Sequence, residues 1–182
     1  MQSEKIFLVV NPVSGRAKMK SALLTVVQIL SDAGNTVTVY PTKARGDARE
    51  VLSKLSKDYT TVVCCGGDGT LNEVVTGIIE GGNNCKIGYI PSGTLNEWSR
   101  GLKISRDIKK AAKDILNGTV IPLDIGSFNE RFFCYTASFG AFTGASYCAA
   151  QDVKNVMGQA AYLFEGIKSL GNIKPLSLQV VC

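Results

Sequence analysis

Four short apolar runs, KIFLVV, TVTVY, TTVVCC and KIGYI, alternate with longer stretches whose apolar residues recur at helical spacing. The first such stripe is Met19, Leu23, Val26, Val27 and Leu30, stopping at Gly34; the second is Ala48, Val51, Leu52 and Leu55. The third is Leu71, Val74, Val75, Ile78 and Ile79, and a later one is Ile108, Ala111, Ala112, Ile115 and Leu116. The runs have strand length, and the stripes have the period of a helix with one buried face. TTVVCC does not alternate with polar residues, as expected of a strand covered on both faces of a parallel sheet. Strand and helix thus alternate from residue 5 to about 116, which predicts an α/β domain with a largely parallel sheet.

The pattern changes at VIPLDIG. RFFCYTASF is strand-like, and VKNVMGQAAYLFEGIKSL reads as a helix with Val153, Val156, Met157, Ala160, Ala161 and Phe164 inward. The last residues, LSLQVVC, alternate like a strand and carry no turn residue, which would leave an apolar edge without a partner. The expected organisation is an α/β domain over residues 1–122, followed over 123–182 by the start of a β-rich domain that is cut off.

Composition narrows the chemistry. The chain has 182 residues, 45% hydrophobic and 19% charged, enough to bury a sizeable core. No stretch approaches the ~18–20 consecutive apolar residues of a membrane span, and MQSEKIFLVVNP reads as a first strand rather than a signal peptide. Six cysteines occur, none at C-x-x-C spacing, and there is no histidine. That pattern speaks against zinc sites and removes Ser–His and Cys–His nucleophiles. Cys64 and Cys65, adjacent inside an apolar run, read as small buried thiols, so a reducing, cytoplasmic setting is expected. Acid–base work would fall to carboxylates, lysines or water.

The pentapeptide GTLNE occurs twice, at Gly69–Glu73 and Gly93–Glu97, each time after an apolar run. In both copies a threonine (Thr70, Thr94) precedes a glutamate (Glu73, Glu97) by three residues. This is the capping-box pattern, and it predicts two helix starts, each cap worth ~1 kcal/mol. The first copy sits in GGDGTLNE, where Gly66, Gly67 and Gly69 expose backbone N–H groups at the positive end of a helix. Such a corner suits phosphate. Open α/β sheets bind ligands outside the carboxyl ends of their strands. There NPVSG, PTKARGD, GGDG and PSGTLNE would come together around one nucleotide. No G-x-x-x-x-G-K-[ST] loop exists, and Asn72 stands where a dinucleotide fingerprint requires glycine. Asp68 would repel phosphate unless a cation intervened. It therefore has two readings: a Mg²⁺ contact, direct or through water, or a cap of its own turn.

NPVSG, GGDGTLNEVV and PSGTLNEWSR, in this order and spacing, resemble the catalytic domain of diacylglycerol kinases and related bacterial lipid kinases, whose pattern sphingosine and ceramide kinases share. The resemblance runs from about residue 4 to the end of the chain. It implies an α/β nucleotide-binding domain followed by a β-sandwich domain, with the active site in the cleft between them. ATP would then contact Asn11, Pro12, Val13, Ser14 and Gly15, Thr42 after the second strand, Gly66, Gly67, Asp68, Gly69, Thr70, Leu71, Asn72 and Glu73, and Thr94. The acceptor would be a lipid hydroxyl, and the product a phospholipid such as phosphatidic acid. Mg²⁺ would be served in part by Asp68, Glu97 and Asp124. The family has Asn-Asp where this chain has Asn96-Glu97, one methylene longer. The family's general base and principal Mg²⁺ ligands lie further along, beyond Cys182, so no catalytic residue is assigned here. Nucleotide binding with weak or absent transfer is the expectation for the chain alone.

Net charge is +5. Arg100, Lys103, Arg106, Lys109, Lys110 and Lys113 cluster opposite the apolar stripe of the last helix. A solvated outer face accounts for them, with docking on anionic lipid as the alternative. No nucleic-acid module is present. A kinase of the NAD kinase type, with a GGDG loop and a soluble acceptor, and a non-catalytic nucleotide-binding module are the rival readings. The sequence leaves homo-oligomerisation open.

Overall fold

The computed structural model describes residues 3–129 and 131–136. All but the last belong to one compact unit, Met1–Tyr135. The helix expected over 153–164 and the strand expected at the C-terminus lie outside the described residues.

The four apolar runs form the four strands of one sheet: β1 (Lys5–Val10), β2 (Thr36–Pro41), β3 (Thr61–Gly66) and β4 (Lys86–Pro91). All pairings are parallel, in the order β2-β1-β3-β4. Every residue of β3 is buried, as its lack of alternation predicts, whereas β2, at an edge, is exposed or half-buried throughout.

Strand geometry sends successive side chains to opposite faces, and the core divides accordingly. On one face Ile6, Leu8, Val10, Val63, Cys65 and Ile90 meet Val26 and Leu30 of α1 (Lys18–Asp32) and Ala111 and Ala112 of α5 (Ile108–Asn117). On the other, Phe7, Val9, Val62, Cys64 and Tyr89 meet Ala48 and Leu52 of α2 (Asp47–Ser53) and Leu71, Val74, Val75 and Ile78 of α3 (Asp68–Glu80). Cys64 and Cys65 are buried free thiols, and burial holds both well above the ordinary thiol range. The third stripe departs from expectation at one position. Ile79 is 39% exposed, at the end of α3, one residue before its last residue Glu80.

The strand order decides where a ligand can sit. From β1 the chain moves outward to β2 through α1, then returns past β1 to β3 through α2. The loops leaving β1 and β3 therefore diverge to opposite faces, and their separation is the topological switch point of the sheet.

After α5 the chain runs without sheet pairing to a short antiparallel hairpin, β5 (Gly126–Phe128) and β6 (Arg131–Phe133). The sequence places this hairpin in the second domain. In the structure it is hydrogen-bonded to α3 through Asn72.

Candidate nucleotide site

The loop leaving β1 is bound to both loops beside it. The Asn11 N–H donates to Cys65 O (2.9 Å), joining the ends of β1 and β3. Its side chain holds the turn by accepting from the Val13 N–H (3.1 Å), and its Nδ2 donates to Thr70 Oγ1 in α3 (3.0 Å). Ser14 Oγ lies 2.6 Å from Ser92 Oγ in a buried contact with the loop after β4. Gly15 has φ +59°, and a Cβ there would stand 2.0 Å from Ser92 O. No other residue satisfies both constraints.

The GGDG loop and the PSG loop touch through backbone. A Cβ on Gly93 would lie 2.5 Å from the Gly67 Cα. Ser92 N–H donates to Gly66 O (2.9 Å), extending the β3–β4 ladder into the loops. Asn96, 2% exposed and at φ 51°, folds back on its own turn, with Oδ1 accepting from Gly93 N–H (2.9 Å) and Nδ2 donating to Gly93 O (2.8 Å).

The helix starts differ from the capping-box expectation. α3 begins at Asp68, with Gly67 as its cap residue and no side-chain cap bond, so Thr70 lies inside the first turn. Glu73 does not reach back to Thr70; its Oε1 accepts from the Gly46 N–H (2.9 Å) in the loop before α2. The second helix, α4, is Glu97–Gly101 with Asn96 as its cap residue, and Thr94 is an exposed loop residue. Starting α3 three residues early, with glycine as the cap residue, leaves its first N–H groups without a capping side chain, and first-turn N–H groups have no intrahelical acceptor. They open at the positive end of a 13-residue helix, an anion site by geometry and dipole.

Asp68 does not cap its own turn, one of its two expected roles. Its Oδ2 accepts from the Glu97 N–H (3.1 Å) and its Oδ1 from the Trp98 N–H (3.3 Å), so it caps α4 and not its own turn. Each oxygen keeps a lone pair for a further donor or an ion. Asp68 and Glu97 are thus brought together, while Asp124 is an exposed residue in the unpaired segment before β5. Among the described residues no group of three or more acidic, cysteine or histidine side chains is placed to hold a metal ion.

Asn11, Ser14, Gly15, Gly66, Gly67, Asp68, Gly69 and Thr70 therefore line or support one edge of the sheet. Pro12 and Val13 form the outer turn of the same loop, Val13 being 58% exposed. Thr42 joins the edge by donating its N–H to Val10 O (2.8 Å). The Leu71 side chain is in the core, 1% exposed, and Asn72 is turned to the hairpin. Ser92, Gly93 and Asn96 lie in the PSGTLNE loop expected at this edge, but the sequence does not single them out as site residues. Their signal was present in PSG, a turn tripeptide directly after a strand, but nothing local names its contacts with Ser14 and Gly67.

Comparison with known proteins bears on the family and the fold. Residues 5–128 match the family described as diacylglycerol kinase catalytic domain. The chain is 37% identical over 174 residues to a diacylglycerol kinase of Staphylococcus haemolyticus (strain JCSC1435), covering 95% of this chain and 53% of that protein. It is 35% identical over 175 residues to a diacylglycerol kinase of Bacillus subtilis (strain 168), covering 95% of this chain and 58% of that one. The crystal structure of a diacylglycerol kinase from Bacillus anthracis str. Sterne superposes with a TM-score of 0.66 at 30% identity, over 73% of this chain and 49% of that one. The chain thus spans about half the length of these relatives. Matched over residues 5–128 and along its sequence, it belongs to the diacylglycerol kinase catalytic domain family.

Proposed function

We propose that this chain is the nucleotide-binding part of an ATP-dependent lipid kinase, which transfers the γ-phosphate of ATP to the hydroxyl of diacylglycerol or a similar lipid. The observation that carries the reading is the uncapped start of α3 at the switch point, walled by Asn11, Ser14 and Gly93. Family membership adds the class of acceptor. The division into an α/β domain, 1–122, and a second, β-rich domain, 123–182, belongs to the same proposal, as does a cytoplasmic location.

Phosphoryl transfer asks the protein mainly for positioning and charge stabilisation. The N–H groups at the start of α3 would hold phosphate oxygens, and the Asn11–Thr70 bond keeps the β1 loop at the distance this requires. Thr42 and Thr94 would contact the nucleotide from the flanking loops. Mg²⁺ takes one or two carboxylates, keeps several waters and completes its shell with substrate phosphates. Asp68, with a lone pair left on each oxygen, fits that role, and Glu97 and Asp124 are the other candidates. The ion would supply charge neutralisation at the phosphates. The chain alone is expected to bind Mg·ATP and to transfer weakly or not at all.

The acceptor implies a peripheral approach to a bilayer. No helix among the described residues is long and apolar enough to cross a membrane. The segment from Arg100 to Asp114 holds six basic and two acidic residues, four of the five net positive charges of the chain. Arg100, Lys103, Arg106, Lys109, Lys110 and Lys113 are exposed, and none forms an ion pair with another described residue. Ile115 packs on Gly88 in β4, so α5 lies against this edge strand of the sheet. An anionic lipid surface would meet this basic strip beside the site, at about 1 kcal/mol per basic residue near the surface.

The test is transfer of labelled γ-phosphate from Mg·ATP to diacylglycerol in mixed micelles and to NAD in parallel, with ATP binding measured by calorimetry. Labelled lipid supports the kinase reading and shows that the base lies within this chain. Labelled NAD would move the protein to the soluble-acceptor class. Binding without transfer leaves a nucleotide-binding half-site, and absence of binding overturns the reading.

A further inference from the structure

Two sets of hydrogen bonds that arise in different helices end on one residue, Cys134. Asn72 in α3 donates from Nδ2 to Phe132 O (3.2 Å), and its Oδ1 accepts from the Cys134 N–H (3.2 Å) and the Cys134 thiol (3.5 Å). Trp98 in α4 donates from its indole Nε1 to Cys134 O (3.0 Å). Both backbone polar groups of Cys134 are therefore held by side chains, each from a helix that starts at a glycine loop. Phe132 O, in β6, and the N–H of Cys134, just past its end, meet the same side chain, as alternate residues of an extended chain can. The Asn72 amide, one donor and one acceptor, meets them as a neighbouring strand would. Trp98 is bound at its other end too, through its backbone N–H to Asp68 Oδ1 (3.3 Å). A continuous path thus runs from Asp68 in the GGDG loop through Trp98 to Cys134, and Asn72 joins the same loop to the same residue directly.

We propose that Asn72 and Trp98 are positioning residues that set the chain at Cys134 in register with the two glycine loops. Nucleotide bound at those loops then orders the polypeptide leading into the residues beyond. The inference rests on the nucleotide-binding reading of the site. Its physical basis is that a ligand that orders one member of a hydrogen-bonded set reduces the remaining freedom of the others.

Trp98 is the single tryptophan of the chain, so its emission reports this junction without a label. The experiment follows Trp98 emission and amide exchange at Cys134 in the 182-residue chain, with and without Mg·ATP, while calorimetry measures ATP binding independently. In the wild type, Mg·ATP should shift the emission and slow Cys134 exchange about tenfold or more. Asn72→Ala should abolish that slowing and, because coupling is reciprocal, weaken ATP binding by up to the same factor. Asn72→Asp, which keeps the acceptor for the Cys134 N–H, should retain part of the slowing; it also serves if the alanine variant does not fold. Calorimetric binding with unchanged emission and exchange in the wild type overturns the coupling alone. So does equal slowing in both variants and the wild type. Absence of calorimetric binding in the wild type removes the nucleotide reading, and the coupling with it.

Discussion

The two GTLNE copies show how little five residues specify by themselves. Gly69–Glu73 is helical throughout, whereas Gly93–Glu97 is a turn in which Asn96 takes φ 51° and only Glu97 enters a helix. The difference lies in the neighbours. The first copy follows Gly67, which lets α3 start at Asp68. The second follows Pro91 and Ser92, which stay bound to the end of the sheet. Asn72 is then free to reach the hairpin, while Asn96 closes on Gly93. The contact of Gly93 with Gly67 yields a test. Gly93→Ala would bring a methyl within 2.5 Å of the Gly67 Cα, where only backbone can give way. It should lower stability by about 1–3 kcal/mol and weaken Mg·ATP binding. Thr94→Ala, at an exposed side chain one residue on, should leave stability within about 0.5 kcal/mol. Thermal unfolding of both variants, with calorimetry of ATP binding, checks the pair.

Among the elements, α5 shows the amphipathic pattern most plainly. Ala111 and Ala112 are buried against α1 and the sheet, and Lys109, Lys110 and Lys113 face solvent. Its start is capped by the side chain of its own N-cap residue: Asp107 Oδ1 accepts from the Lys110 N–H (2.7 Å). Asp107→Ala should therefore destabilise the protein by about 1 kcal/mol, and Asp107→Ser by much less, since serine caps nearly as well. Denaturant unfolding of the two variants distinguishes a lost cap from a lost charge. If the basic strip docks on anionic lipid, neither change should abolish binding to vesicles, because the six basic residues remain.

For the molecule as a whole, the amino-terminal ends of three strands are tied by one carboxylate. Glu4, just before β1, accepts from Lys86 Nζ of β4 (2.7 Å) and from the hydroxyls of Thr61 and Thr60 beside β3. These hydrogen bonds, that of Lys86 first, hold its carboxyl below the ordinary 4.5 despite some burial. A carboxylate depressed on folding contributes stability that is present above its unfolded value and lost as the pH falls through the folded one. Glu4→Gln should thus lower the melting temperature at neutral pH and narrow its gap to the wild type as the pH drops below 4.5. Melting curves across that range decide the matter. Cys134 lies at the opposite end. Its thiol is pushed up to about 11 by burial and by the nearby Asp68 charge, so it should resist thiol-directed alkylation at neutral pH.

What the sequence determined by itself is the architecture. Periodicity and turn residues are local quantities, and they suffice for four parallel strands, the helices between them and the gathering of NPVSG, GGDG and PSG at one edge. The family follows from the same motifs in the same order. What only the tertiary structure decided is which loop binds which. Thr70 and Thr94 carry the letters of a cap yet cap nothing, because Gly67 and Asn96 occupy those places. Asp68 turns to α4, Glu73 to the loop before α2, and Ser14 to Ser92. Each of these bonds joins residues 27 to 78 positions apart. A sequence records what a residue can donate or accept; only chain closure around the sheet brings the second partner within reach.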